Sequence, residues 1–121
     1  MQPGVSDREA LVRDYYRDID AGAVNQALRP FADDAIYRRP GYAAMVGLEA
    51  IRRFYEGERV IASGVHELEA VVHDGEQVAV RGAFCGTSID GAELAVRFAD
   101  FWTFAGDVVV ERCTYFDAAA V

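Results

Sequence analysis

Apolar residues first recur at helical spacing near the start of the chain. Leu11, Val12, Tyr15, Tyr16 and Ile19 form one side of the stripe, and Arg8, Arg13, Asp14, Arg17 and Asp18 populate the other. Ser6-Asp7-Arg8-Glu9 has the form of a capping box, with a hydroxyl for the orphan amides and a carboxylate three residues on. Gly22 supplies a stop, so the pattern predicts a first helix from Asp7 to about Ala21. A shorter helix is predicted from about Val24 to Phe31, built on Ala27, Leu28 and Phe31 and limited by Pro30. Ala35 to Pro40 reads as a short strand ended by Pro40-Gly41. After Gly47 a third helix is expected, with Leu48, Ile51, Phe54, Tyr55, Glu58 and Ile61 along one side. Gly57 and Gly64 weaken its end.

From His66 onward the period changes to that of a meander. Strands are predicted at about 66–73, 76–87, 92–104 and 108–116, separated by Asp74-Gly75, Asp90-Gly91 and Ala105-Gly106-Asp107. Three helices, one short strand and four long antiparallel strands imply an α+β domain. The helices would cover one face of a curved, mostly antiparallel sheet and leave a conical pocket. Within the strand Glu93 to Phe104, alternation places Phe98, Asp100, Trp102 and Phe104 on one face and Arg97, Ala99, Phe101 and Thr103 on the other. A carboxylate between Phe98 and Trp102 on an apolar face costs several kcal/mol if ionised and unpaired, so Asp100 needs a partner or keeps its proton. It is either a structural Asp bonded to backbone amides or a pocket carboxyl with a chemical role.

Composition narrows the partners. The 121 residues make one domain, 52% hydrophobic and 26% charged, with a net charge of 12 − 20 = −8. An acidic balance disfavours nucleic acid and anionic membrane. No run is long enough to span a bilayer, and the first residues do not form a signal peptide, which points to the cytoplasm. Cys85 and Cys113 lack metal-ligand spacing and are most simply two reduced, buried thiols, with a bridge between them as the alternative. No metal constellation, phosphate loop or Ser-His-Asp pattern stands out.

Several segments taken together resemble a known superfamily. They are Tyr15…Ala21-Gly22, Phe31-Ala32-Asp33-Asp34-Ala35, Gly47…Ala50-Ile51-Arg52-Arg53-Phe54-Tyr55 and Asp100-Phe101-Trp102-Thr103-Phe104…Tyr115-Phe116-Asp117. In this order, from about Leu11 to Asp117, the chain resembles the nuclear transport factor 2-like proteins, and among them the ketosteroid isomerases and SnoaL-type polyketide cyclases. The resemblance implies a single conical domain over residues 1–121, a cofactor-independent reaction and a homodimer formed through the sheet. It reads Asp33-Asp34 as part of a common turn rather than a catalytic dyad. It matches Tyr15 and Asp100 to an oxyanion hole, in which the isomerases keep a carboxylic acid neutral, and Tyr55 to a tyrosine bonded to the first. The isomerases' general base is replaced by Arg39, which is protonated at any physiological pH and cannot abstract a proton. Thr114 stands where epoxide hydrolases of this fold carry an acid.

The candidate site therefore contains Tyr15, Arg39, His66 and Asp100 as chemical groups. Tyr37, Phe54, Tyr55, Phe84, Phe98 and Trp102 line the substrate space. Arg39 is a candidate to pair with Asp100, and Arg59 to reach the mouth. His66 is a candidate proton carrier, because imidazole as a side-chain type suits proton transfer near neutrality; the bland alternative is a surface or structural His. The facing of Glu111 and Arg112 stays open, since a shift of one residue swaps the faces of a strand. The expected function is acid–base chemistry, such as cyclisation, isomerisation, dehydration or epoxide opening, on a small apolar oxygenated metabolite. The alternatives are a non-catalytic ligand-binding module and a dimerisation module. A cavity of roughly 300 Å³ or more reaching Asp100 is the expected mark of ligand binding.

Overall fold

The amphipathic stripe at the N-terminus folds as α1 (Val5–Asp20), which buries Val12, Tyr15, Tyr16 and Ile19. The computed structural model describes residues 5–58 and 61–118. The Ser6 side chain of the expected capping box and Arg59 lie outside the described residues. The second helix, α2 (Val24–Ala27), is a single turn and stops short of the predicted Phe31. A tight turn intervenes, in which the Phe31 amide donates to the Leu28 carbonyl at 3.0 Å. Pro30 supplies no amide to extend a helix. Phe31 opens β1 (Phe31–Arg38), so Asp33 and Asp34, expected in a turn, stand exposed on a strand instead.

A two-residue strand, β2 (Met45–Val46), pairs antiparallel with β1. It is too short to carry a readable alternation. α3 (Leu48–Arg53) continues as a π-helical turn, Phe54–Glu58. Ile61, expected on that helix, starts β3 (Ile61–Asp74) instead. The remaining strands follow the predicted meander as β4 (Gln77–Ser88), β5 (Glu93–Ala105) and β6 (Val108–Phe116). Two-residue loops close two of the hairpins, with Asp74 paired to Gln77 and Ala105 to Val108. Each needs a residue at positive φ, which Gly75 (+58°) and Gly106 (+61°) provide.

The six strands form one curved, open sheet in the order β2-β1-β6-β5-β4-β3. It is mixed, because β1 runs parallel to β6 while every other pair is antiparallel. α1 packs on β3 and β4, and α3 on β1. The core lies between helices and sheet, with Trp102, Tyr37, Phe54 and Phe104 among its largest fully buried side chains. β5 alternates as expected: Phe98, Asp100, Trp102 and Phe104 are buried, and Phe101 is exposed on the outer face.

One irregularity decides what Asp100 meets. Thr103 pairs with Glu111, but Phe104 pairs with Val109, so β6 carries an extra residue opposite β5. This bulge resets the phase of β6. Val109 and Arg112 are both buried, three positions apart, and Thr114 follows on the same inner face. Cys85 is exposed and Cys113 half-buried, both with free thiols, because the alternation turns them away from the core. The expectation of buried thiols is corrected in that respect.

Candidate active site

Asp100 is 0% exposed and accepts three hydrogen bonds from side chains rather than backbone amides. The Tyr16 hydroxyl donates to Oδ2, the Thr114 hydroxyl donates to Oδ1, and Arg112 Nη2 donates to Oδ2 at 2.8 Å. The cation against Asp100 is therefore Arg112 and not Arg39, because the bulge in β6 aims Arg112 inward from the adjacent strand. Trp102 Nε1 donates to the Tyr16 oxygen at 3.1 Å, and Tyr37 and Thr114 hydroxyls meet at 3.1 Å. A carboxylate ringed by donors is tolerable inside an apolar core, whereas a lone one is not.

Arg112 extends this network to a second pair of phenols. Its Nη1 donates to the Tyr15 oxygen at 2.6 Å and to the Tyr55 oxygen at 3.0 Å, and the two hydroxyls are hydrogen-bonded to each other. The guanidinium carbon lies 4.6 Å from the ring centroids of both Tyr15 and Tyr37. Burial alone would pull the Arg112 guanidinium down, but Asp100 and the surrounding phenols hold it well above its ordinary range, so it stays a cation. Among the described residues its Nε finds no acceptor.

Burial drives the phenols the other way. It pushes Tyr15 well above the usual tyrosine range against the opposing pull of Arg112, and pushes Tyr16 up with help from the Asp100 charge. Tyr37 is raised for the same leading reason. These hydroxyls keep their protons and act as donors, not as phenolates.

A second cluster sits on α1 and β3. His66 Nδ1 lies 2.6 Å from Asp20 Oδ1, and the His66 backbone amide donates to Asp20 Oδ2 at 2.8 Å. The imidazole packs on aromatic rings, with centroids 4.7 Å from Phe84, 5.1 Å from Tyr16 and 5.4 Å from Phe98. Glycines make room for two of these rings. A Cβ on Gly64 would lie 2.2 Å from the Phe84 ring, and one on Gly82 would lie 2.9 Å from that of Phe98.

Both clusters open on one cavity, lined by Tyr15, Ile19, Arg39, Tyr55, Ile61, His66, Phe84, Phe98, Asp100, Arg112, Thr114 and Phe116. The sequence-predicted residues Tyr15, Arg39, His66, Asp100, Tyr55, Phe84 and Phe98 thus share one space. Tyr37, Phe54 and Trp102 lie behind its wall, buried in the core. Arg39 is half-buried just beyond β1. It donates to the Tyr37 oxygen at 2.9 Å, and its guanidinium sits over Phe54 (4.9 Å) and Phe116 (5.3 Å). Sequence reasoning missed Tyr16 and Asp20 and left Arg112 and Thr114 unplaced. Paired tyrosines in the helical stripe were the available signal for Tyr16, but none pointed to the others. The cavity volume, about 20 Å³, falls far below the expected 300 Å³ and holds little more than one water. The aromatic side chains around it fill the rest. Among the described residues no group of three or more His, Cys, Asp or Glu is gathered as a metal site, and no helix is long and apolar enough to cross a membrane.

Residues 12–112 match the family model of the SnoaL-like domain. No match was found among curated proteins. Of solved structures, an NTF2-like protein of unknown function from Burkholderia pseudomallei superposes with a TM-score of 0.84 at 19% identity, over 92% of this chain and 91% of that one. The epoxide hydrolase/cyclase-like enzyme SalBIII, of pyran ring formation in the polyether salinomycin, gives 0.81 at 20% identity over 92% and 91%. A protein with a ketosteroid isomerase-like fold from Catenulispora acidiphila, in complex with trimethylamine, gives 0.79 at 18% identity over 92% and 88%. At these identities the likeness to solved structures speaks for the fold.

Proposed function

The chain belongs to the SnoaL-like domain family, and from that premise we propose that it is a cofactor-independent acid–base enzyme acting on a small, apolar, oxygenated metabolite such as a polyketide or terpenoid. The observation that carries this reading is the meeting of two unlike clusters in one cavity: an imidazole held by a carboxylate, and a phenol pair backed by a buried guanidinium. His66 Nε2 takes a proton from the carbon beside a substrate carbonyl. The electron pair moves to the carbonyl oxygen, where the one hydroxyl of the Tyr15–Tyr55 pair that does not donate to the other, and the Arg112 charge, stabilise it. The proton then returns at another atom, or the enolate closes on an internal electrophile. Isomerisation, dehydration and ring closure all share this first step. Donors pre-aimed at developing charge in a dry site contribute on the order of 10²–10³ in rate each. Asp100 fixes Arg112, and Arg39 adds positive potential at the Phe116 side. Two chains pair through the outer sheet face, where Phe101 and Tyr115 are 44% and 55% exposed.

A second reading, a dimerisation module that binds no ligand, draws on the small volume of the cavity. In the enzymatic reading a metabolite enters only as wall side chains give way. Deuterium exchange beside the carbonyl of 2-tetralone in D₂O, followed by proton NMR, tests the enzymatic reading. The wild type should exceed buffer, and His66→Ala should lose roughly 10²-fold or more of that rate. Equal rates for wild type, His66→Ala, Tyr15→Phe and Asp100→Asn across a panel of such ketones would end the catalytic case.

A further inference from the structure

Asp20 is the last residue of α1. A carboxylate at a helix C-terminus faces the negative end of the helix dipole, where a cation is preferred. A local rule broken in this way calls for a compensating contact. The contact is with His66, 46 positions along the chain, and it uses both carboxylate oxygens. Oδ2 accepts the His66 backbone amide at 2.8 Å and Oδ1 meets the imidazole Nδ1 at 2.6 Å. The imidazole is held on three sides by the rings of Tyr16, Phe84 and Phe98, so it has little freedom to turn. Its Nε2 has no hydrogen-bond partner among the described residues, and His66 lines the cavity.

The geometry points to Asp20 as the positioning residue of the site. By accepting from Nδ1–H it sets the tautomer of neutral His66, so that the lone pair sits on Nε2. This rests on the reading of His66 as the proton carrier, but its physical content stands apart from any turnover. A carboxylate is required because two donors must be met by two acceptor oxygens. An asparagine at position 20 brings one acceptor and one amide donor. If its oxygen keeps the backbone amide of His66, its NH₂ faces Nδ1 and donates. The imidazole proton is then forced to Nε2, where it blocks proton abstraction. The same logic operates wherever a carboxylate orients a catalytic imidazole.

Long-range ¹H–¹⁵N spectra of the full chain labelled with ¹⁵N-histidine, taken at a pH where imidazoles are neutral, read the tautomer directly. His73, whose Nε2 lies 2.9 Å from the Gly75 carbonyl, is assigned separately by His73→Gln. The expected result is a His66 that is dominantly Nδ1–H in the wild type and dominantly Nε2–H in Asp20→Asn. Asp20→Ala, which offers neither group, should give a mixture. In the 2-tetralone assay Asp20→Asn should lower kcat by about 10² or more with KM little changed. A wild-type His66 that is already Nε2–H, or an Asp20→Asn protein that stays Nδ1–H, overturns the assignment even if exchange is catalysed. The predicted tautomers without any exchange would uphold the positioning and sink only the acid–base reading.

Discussion

Replacing Arg112 by methionine removes the cation from beside a carboxylate that is 0% exposed, together with the guanidinium that lies 4.9 Å from the Trp102 ring centroid, and leaves an unbranched apolar chain in the same space. Arg112 itself is 4% exposed, so neither group can turn to solvent when its partner is lost. Breaking a buried pair from one side typically costs about 3–5 kcal/mol, because it leaves an uncompensated charge. Arg112→Met should therefore lose about 3–5 kcal/mol, and Asp100→Asn, which strands the guanidinium, a similar amount. The double variant buries no charge. Its cost should be about 2–4 kcal/mol rather than the roughly 6–10 expected if the two losses were independent. Urea unfolding followed by the fluorescence of Trp102, the one tryptophan in the sequence, reads all four corners of the cycle. The probe is apt, since its indole donates to the Tyr16 hydroxyl that in turn donates to Asp100. With a slope of about 1.5 kcal/mol/M, a 4 kcal/mol loss lowers the midpoint by about 2.7 M. Single losses that simply add, within about 0.5 kcal/mol, would show that Asp100 and Arg112 are not one coupled unit.

Other consequences can be checked with the same protein. Gly64→Ala would bring a methyl within 2.2 Å of the Phe84 ring and 2.9 Å of the Cys85 carbonyl. It should cost about 1–3 kcal/mol and push the ring into the cavity, seen as a shifted His66 imidazole spectrum. Gly57→Ala, where a Cβ meets nothing within 4 Å, is the control and should leave that spectrum unchanged. The raised phenols make stability depend on pH on the alkaline side. Their folded forms bind protons more tightly than the unfolded chain. Their stabilising effect is thus complete below the ordinary tyrosine range and fades as pH rises through and beyond it. In an absorbance titration Tyr15, Tyr16 and Tyr37 should ionise only as the protein unfolds; reversible ionisation of all six tyrosines in the folded state would contradict this. Phe101→Glu on the outer sheet face should convert a dimer to a monomer in sedimentation without altering His66, and a wild type that sediments as a monomer at every concentration would remove that interface.

Much of this architecture is legible in the sequence. α1, the meander from β3 to β6 and the inward turn of Asp100 follow from local periods, because a helix repeats every 3.6 residues and a strand every two. The misreadings cluster where local pattern is weak. Asp33 and Asp34 look like turn residues, yet both stand exposed on β1, in the stretch where its pairing with β6 is irregular. Ile61 continues the stripe of α3 by spacing, yet the chain passes through a π-helical turn and Ile61 enters a strand. Arg39 is the cation that the sequence offers as a candidate partner for Asp100, but it lies among aromatic rings beside the Tyr37 hydroxyl.

The amino-acid sequence by itself determined the first helix, the succession of four long strands and that an acidic side chain would be driven into the apolar layer, since these depend on neighbours close along the chain. Only the tertiary structure decided who meets that acid. The extra residue in β6 is a property of two strands in register, and it turned Arg112 and Thr114 inward where alternation alone left their facing open. Tyr15 and Tyr16 are equally buried on one helix, yet packing sends the first to Arg112 and the second to Asp100. Asp20 and His66 met because α1 lies across β3, a contact that no local pattern encodes.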